Sequence, residues 1–248
     1  LNSKMMFPFT KYSIVYYIFS GVLICGAIIS LVVFGLKFGI EFTGGSTMEL
    51  EFTESRPNNE AIINELSGLD VGEVIVQPIS DKAMLLKFKG VDEATHQQIL
   101  SKINQLSPVQ ERNFQYIGPS VGQELKNKTL IAIALALVAI TIYIAFAFRK
   151  VSRPVASFKY GLTSLIALFH DIIIPLGAFS ILGKFYNAEI TIPIIAALLT
   201  ILGFSVHDTI VIFDRIRENI SKRGTNQFQE TVDWSLNQTV GRSISTVM

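Results

Sequence analysis

Residues 203–219 read Gly203-Phe204-Ser205-Val206-His207-Asp208-Thr209-Ile210-Val211-Ile212-Phe213-Asp214-Arg215-Ile216-Arg217-Glu218-Asn219. The part up to Phe213 ends an apolar run of membrane length, so Asp208 is an ionisable group inside a bilayer-crossing helix. At a helix centre an Asp costs about 2.5–3.5 kcal/mol to insert, and such residues face a bundle interior and serve ions or protons. The charged string from Asp214 to Glu218 marks where the helix leaves the hydrocarbon.

Outward from this helix, the 248 residues contain four apolar stretches, at about 12–36, 129–148, 158–182 and 190–213. Each approaches or exceeds the roughly 20 residues needed to cross the bilayer. Half of the chain is hydrophobic, 17% is charged and the mean hydropathy is +0.45, a balance for a protein partly in lipid and partly in water. The sequence predicts an α-helical membrane protein with an inserted water-soluble domain. It divides into 1–38 (N-terminus and first span), 39–126 (the inserted domain) and 127–248 (spans two to four and the start of a fifth). The ending at Met248, soon after a new apolar phase begins, reads as a truncated chain.

The basic residues set the topology. Lys4 and Lys11 precede the first span, Arg149, Lys150, Arg153 and Lys159 fill the loop after the second, and Arg215, Arg217, Lys222 and Arg223 follow the fourth. With alternating spans all three groups lie on one side, which the positive-inside rule makes cytoplasmic. Only Lys37, Lys126, Lys128 and Lys184 flank the other side, so the 39–126 domain is exported. A net charge of +1 with no basic patch gives no basis for a nucleic-acid partner. Cys25, the only cysteine, lies in the first span, so the exported domain has no disulfide and is held by packing. The first span is about twice the length of a signal-peptide core and lacks a small-residue cleavage site, so it reads as a retained anchor.

Within the exported domain the hydrophobic period alternates between two and 3.6. We read strand 46–52, helix 58–66, strands 73–79 and 83–88 joined at Ser80-Asp81-Lys82, helix 92–106 opened by Asp92 as N-cap, and strand 113–117. Ile62, Ile63 and Leu66 form the apolar face of the first helix, and Ile99, Ile103 and Leu106 that of the second. Strand-helix-strand-strand-helix-strand is the order of a ferredoxin-like unit. His96, among Gln97 and Gln98, reads as a solvated helix residue. Gly44-Gly45 lacks the Lys and Ser/Thr of a phosphate loop.

The third span carries His170-Asp171 with Pro175 four residues on, which releases the Asp171 carbonyl and favours a kink. His207-Asp208 repeats the pair in the fourth, beside Gly203 and Ser205, small residues that permit close helix approach. Two His-Asp pairs raise the possibility of an intramembrane metalloenzyme. Adjacent helix residues point about 100° apart, however, and a helical zinc pair needs i, i+4 spacing, so no metal, cofactor or enzymatic activity is expected. His170 and His207 alone read as hydrogen-bonding to neighbouring helices. Asp208 reads as a proton site, because desolvation favours its protonated form.

Several motifs carry a family resemblance. The stretch 203–219 resembles the fourth transmembrane helix of SecF, the membrane subunit of the SecD–SecF export complex. Gly39-Ile40-Glu41-Phe42-Thr43-Gly44-Gly45 is similar to the G-I-D-F-T-G-G signature after the first helix, with Glu41 for Asp, although a glycine-permitted turn explains the same glycines without chemistry. Ile117–Leu125 resembles V-G-P-x-V-G-x-E-L at the second helix. Ser235, Leu236, Asn237, Gln238, Thr239, Arg242 and Thr246 match S-L-N-Q-T-x-x-R-T-x-x-T-S at the fifth, with Ser243 and Val247 departing from it. The resemblance implies a six-helix subunit of the bacterial inner membrane with a periplasmic domain. It further implies SecD, the SecYEG channel and translocating preproteins as partners, with proton-driven, ATP-independent late translocation as the function. The family's essential Asp and Arg fall on Asp208 and Arg242, with His170, Asp171 and His207 as supporting polar groups. A proton-driven small-molecule exporter of the resistance–nodulation–division type is the alternative, but about 85 residues between the first two helices are too few for its substrate funnel. A passive scaffold would gain nothing from the insertion cost of Asp208.

Overall fold

A computed structural model of the chain describes residues 6–147, 157–224 and 227–247. Lys4, Arg149, Lys150 and Arg153 of the topology argument lie outside the described residues. The chain forms two compact units, Phe38–Leu130 and the combination of Leu1–Lys37 with Ile131–Met248.

The first unit is built on a four-stranded antiparallel sheet. Its elements are α2 (Ile40–Thr43), β1 (Gly45–Phe52), α3 (Asn59–Leu66), β2 (Ile75–Pro78), β3 (Ala83–Phe88), α4 (Glu93–Leu106) and β4 (Val109–Ile117), with strand order β2-β3-β1-β4. The pleat sends alternate side chains to one face. Met48, Leu50 and Phe52 of β1 and Met84, Leu86 and Phe88 of β3 therefore meet Ile62 and Leu66 of α3 and Ile99 and Ile103 of α4 in one core. Ile63 and Leu106 are exposed instead: Ile63 lies about 100° off the Ile62–Leu66 stripe, and Leu106 ends the last turn of α4. Asp92 caps α4, its carboxylate accepting from the Thr95 N–H at 2.9 Å.

β4 is longer than the expected 113–117 because a bulge opposite Glu49 and Leu50 breaks the alternation that a sequence reading relies on. The extra residue, Arg112, reaches the Glu51 carboxylate, while Glu111 pairs with Leu50 on the inner face. This corrects the reading of His96 as solvated. It is buried at 6% exposure, with Nε2 2.9 Å from Glu111 and Nδ1 3.3 Å from Glu93, and its ring stacks on Phe114 at 3.9 Å between centroids.

The glycines of two motifs meet in the same unit. Gly44 has φ 77°, and a Cβ there would lie 2.6 Å from Cα of Pro119, which opens α5 (Pro119–Ala147). One on Gly122 would lie 2.8 Å from the Gly44 nitrogen. Backbone against backbone is the physical need that both glycines meet.

The second unit is a helical bundle of α1 (Ser13–Phe34), the later part of α5, α6 (Ser157–Tyr186), α7 (Ile192–Arg223) and α8 (Phe228–Val247), with a 3-10 turn Phe9–Tyr12 ahead of α1. Among the described residues, four helical segments are long and apolar enough to cross a membrane: Phe9–Phe34, Pro119–Phe146, Lys159–Tyr186 and Ile192–Arg223. α1 and α6 pack through small residues. The Ser30 hydroxyl donates to the Gly177 carbonyl at 3.0 Å, and Ser180 donates to the Ser30 carbonyl at 2.8 Å. A Cβ on Gly177 would sit 2.4 Å from that of Ala27, so only glycine permits this approach. α5, α6 and α7 converge where Ile144 and Tyr160 pack against Val206, Ile210 and Phe213.

Candidate functional site

α7 supplies Asp208, and its helical period decides what Asp208 faces. Val206, Ile210 and Phe213 form the stripe toward α5 and α6. Asn219 follows Asp208 by three turns, within about 20° of the same face. Its amide donates to Ser235 Oγ at 2.9 Å and to Gln238 Oε1 at 3.1 Å, both on α8. Asp208 therefore stands on the α8-facing stripe, half-buried. On α8, Arg242 follows Ser235 by two turns, again within about 20°, and so stands on the α7-facing stripe, where it is exposed.

The register between the helices follows from two contacts. Asn219 lies level with Ser235, and His207 shares with Thr246 the lining of a groove of about 490 Å³, completed by Thr200, Gly203 and Phe204. The helices are thus antiparallel, and Asp208 sits level with Thr246, one turn or about 6 Å beyond Arg242 along the bundle. Helical side chains lean toward the N-terminus of their own helix, which carries the Arg242 stem away from Asp208. No ion pair within 4.0 Å joins the two among the described residues. The two groups sit on facing stripes, out of register by one turn.

His170 and Asp171 occupy a second polar site on α6, above Pro175. His170 Nδ1 lies 2.8 Å from Asp171 Oδ1, and Ser205 on α7 donates to Asp171 Oδ2 at 2.5 Å. The link across helices is made by the carboxylate, whereas His170 bonds to its own neighbour. His207 is exposed and lines the groove, so the two His-Asp pairs do not converge. Among the described residues no group of three or more His, Cys, Asp or Glu is placed to hold a metal ion.

Sequence reasoning missed Ser205 as a hydrogen-bonding partner, having read it only as a small residue. It also missed Asn219, although an uncharged amide ending a charged string, three turns from Asp208 on one face, is a readable signal.

Two family profiles match the chain. "Protein export membrane protein SecD/SecF, C-terminal" covers residues 96–248, and "SecD/SecF GG Motif" covers 29–55. The protein translocase subunit SecF of Thermobaculum terrenum is 38% identical across 98% of this chain and 80% of its own length. That of Vibrio alginolyticus is 33% identical across 99% and 76%. The crystal structure of SecDF, a translocon-associated membrane protein from Thermus thermophilus, matches 97% of the chain at 27% identity with a TM-score of 0.83. SecDF in a super-membrane-facing form matches with a TM-score of 0.65. The chain spans 32% of those SecDF chains. The chain belongs to the SecF family of protein translocase subunits.

Proposed function

We propose that this SecF-family chain couples proton movement to late, ATP-independent preprotein export, with Asp208 and Arg242 as the two halves of the proton site. The observation that carries the reading is their placement on facing stripes of α7 and α8, one turn out of register. When the Arg242 guanidinium reaches Asp208, it stabilises the carboxylate. When it withdraws, Asp208 is left to take up a proton. Alternation between the two lets Asp208 load a proton from one side and release it to the other. One proton crossing about 100 mV releases about 2.3 kcal/mol, enough to bias a domain movement against a sliding chain. His170, Asp171 and Ser205 support the route as a fixed polar contact between α6 and α7.

The chain is a multi-pass inner-membrane protein with its β-sheet unit in the periplasm, homologous to part of a SecDF chain. SecD is accordingly its partner, and the SecYEG channel and unfolded preproteins are the further partners we assign. The two-helix, four-stranded order with strands arranged β2-β3-β1-β4 supports a ferredoxin-like reading of the 39–126 domain. Arg242 and Thr246 on α8 support its assignment as the start of a fifth membrane helix.

The test is export by full-length Asp208→Asn protein, paired with SecD in vesicles, with and without a proton gradient. The substitution keeps size and hydrogen bonding but removes titration, and it abolishes the gradient-dependent part. Arg242→Lys keeps the charge, loses the planar fork and is impaired. Gradient stimulation at the wild-type level in Asp208→Asn would sink the assignment.

A further inference from the structure

The motif Ser235-Leu236-Asn237-Gln238-Thr239 has no part in the proton site, yet it makes a dense set of long-range polar bonds among the described residues of the helical unit. The Phe7 N–H donates to Asn237 Oδ1 at 3.1 Å, and Asn237 Nδ2 returns a bond to the Phe7 carbonyl at 2.9 Å. The same nitrogen donates to the Asp233 carbonyl at 2.8 Å, so the whole side-chain amide is engaged. One turn earlier, both Asp233 carboxylate oxygens accept from Thr10, one from its backbone N–H and one from its hydroxyl, each at 2.8 Å. On the opposite side, Asn219 of α7 spends both amide hydrogens on Ser235 and Gln238. Ser235, Thr231 and Thr239 are buried beneath these contacts.

α8 is thus clamped between the segment preceding α1 and the end of α7. Arg242 rides five residues, about 7.5 Å, beyond Asn237 on the same rigid helix, and no comparable polar clamp holds the later turns among the described residues. We infer that residues Asp233 to Gln238 are a fixed pivot, closed throughout the cycle, about which α8 tilts to carry Arg242 to and from Asp208. A tilt of about 15° about Ser235 displaces the Arg242 backbone by roughly 3 Å across the bundle, toward or away from α7, and leaves the one-turn offset along the axis to the length of the Arg242 side chain. Asn237 is a positioning residue: Asp there would lose both donors, and Gln would hold its amide one methylene too far out. The inference rests on the Asp208–Arg242 reading.

The test uses the full-length protein with SecD in vesicles, carrying Cys25→Ala, Thr10→Cys and Asp233→Cys, so that oxidation replaces the polar clamp by a covalent one. With Asn237 intact, the oxidised form gives gradient-dependent export at least equal to that of the reduced form. Adding Asn237→Ala lowers it at least about tenfold in the reduced form, the scale of a misplaced reacting group, and oxidation restores it. Restoration by a tether distinguishes positioning from a general loss of fold. The pivot is overturned if oxidation of the Asn237-intact protein stops export, because the clamp then opens in each cycle. It is equally overturned if Asn237→Ala has no effect, or if inserted, SecD-paired Asn237→Ala protein is not rescued by the tether. Asp208→Asn, run alongside, separates the two ideas: wild-type stimulation there removes the proton site itself, whereas a failed pivot leaves Asp208→Asn inactive.

Discussion

Replacing His96 by Ala tests the correction that matters most in the periplasmic unit. The side chain is 7% exposed, its Nε2 meets a Glu111 side chain that is 22% exposed, and its ring lies 3.9 Å above Phe114 at an interplanar angle of 12°. Losing the stack removes about 0.5–1.5 kcal/mol. Leaving Glu111 half-buried without its donor adds about 1–3 kcal/mol. Glu93 faces solvent and adds no more than a screened surface pair does. The total, roughly 2–4 kcal/mol, lies in the range of a broken buried contact. At about 1.4 kcal/mol per tenfold, hydrogen-exchange protection of the α4 amides in the full chain drops roughly 30- to 700-fold. Glu111→Gln retains an acceptor for His96 and is milder, and the two changes together are less than additive. A drop of less than about threefold in His96→Ala would return His96 to the solvated position that the sequence predicts.

Three further outcomes are expected. Protection of α4 holds from neutral pH down to mild acid and falls below about pH 4, because Asp92 and Glu93 are held beneath their ordinary values of 3.8 and 4.5, chiefly by hydrogen bonds from Thr95 and Gln97; stability from a lowered carboxylate exists above its unfolded value and is lost as pH falls through the folded one. Asp92→Asn, which still caps the helix, flattens that fall, and an unchanged profile would contradict it. Gly177→Ala destabilises the α1–α6 pair by about 1–3 kcal/mol in micelles, and because the new Cβ would also lie 2.5 Å from the Ala27 Cα, Ala27→Gly in the same protein recovers only a minor part of the loss. In a Cys25→Ala background, Glu60→Cys reacts with an impermeant thiol reagent from outside spheroplasts and Ser221→Cys does not, whereas the reverse pattern would invert the topology.

Membrane spans were legible in the sequence because twenty apolar residues have few other uses, and most strands of the inserted unit were legible because its core alternates cleanly, as in Met48, Leu50 and Phe52. β4 was legible only over 113–117, since the bulge at Glu49 and Leu50 puts Glu111 inward and leaves 109–112 reading as polar loop. His96 was misjudged for the same reason: its burial depends on that register shift, which no local pattern reveals. Asp208 announced itself by its insertion cost. That Arg242 sits one turn away rather than against it depends on the α7–α8 register, fixed by Asn219 and Ser235, and such a register is a property of two helices together. Asn237 was visible as a motif, but its partner Phe7 lies 230 positions away, beyond any periodicity.

The small-residue seam between α1 and α6 joins positions 147 apart along the chain, at Ser30 and Gly177. At about 5–20 residues per second, α1 waits roughly 7–30 s in the bilayer before the helix that fits it has been made. During that interval the Ser30 hydroxyl already has an acceptor in its own helix, the Ala27 carbonyl at 2.9 Å. The first helix can therefore enter lipid alone with its Ser30 hydroxyl satisfied, and later recruit α6 by sharing that one hydrogen with the Gly177 carbonyl. Order of synthesis is thereby written into the seam: the early half is self-sufficient, and the late half, with its Gly177, supplies the space.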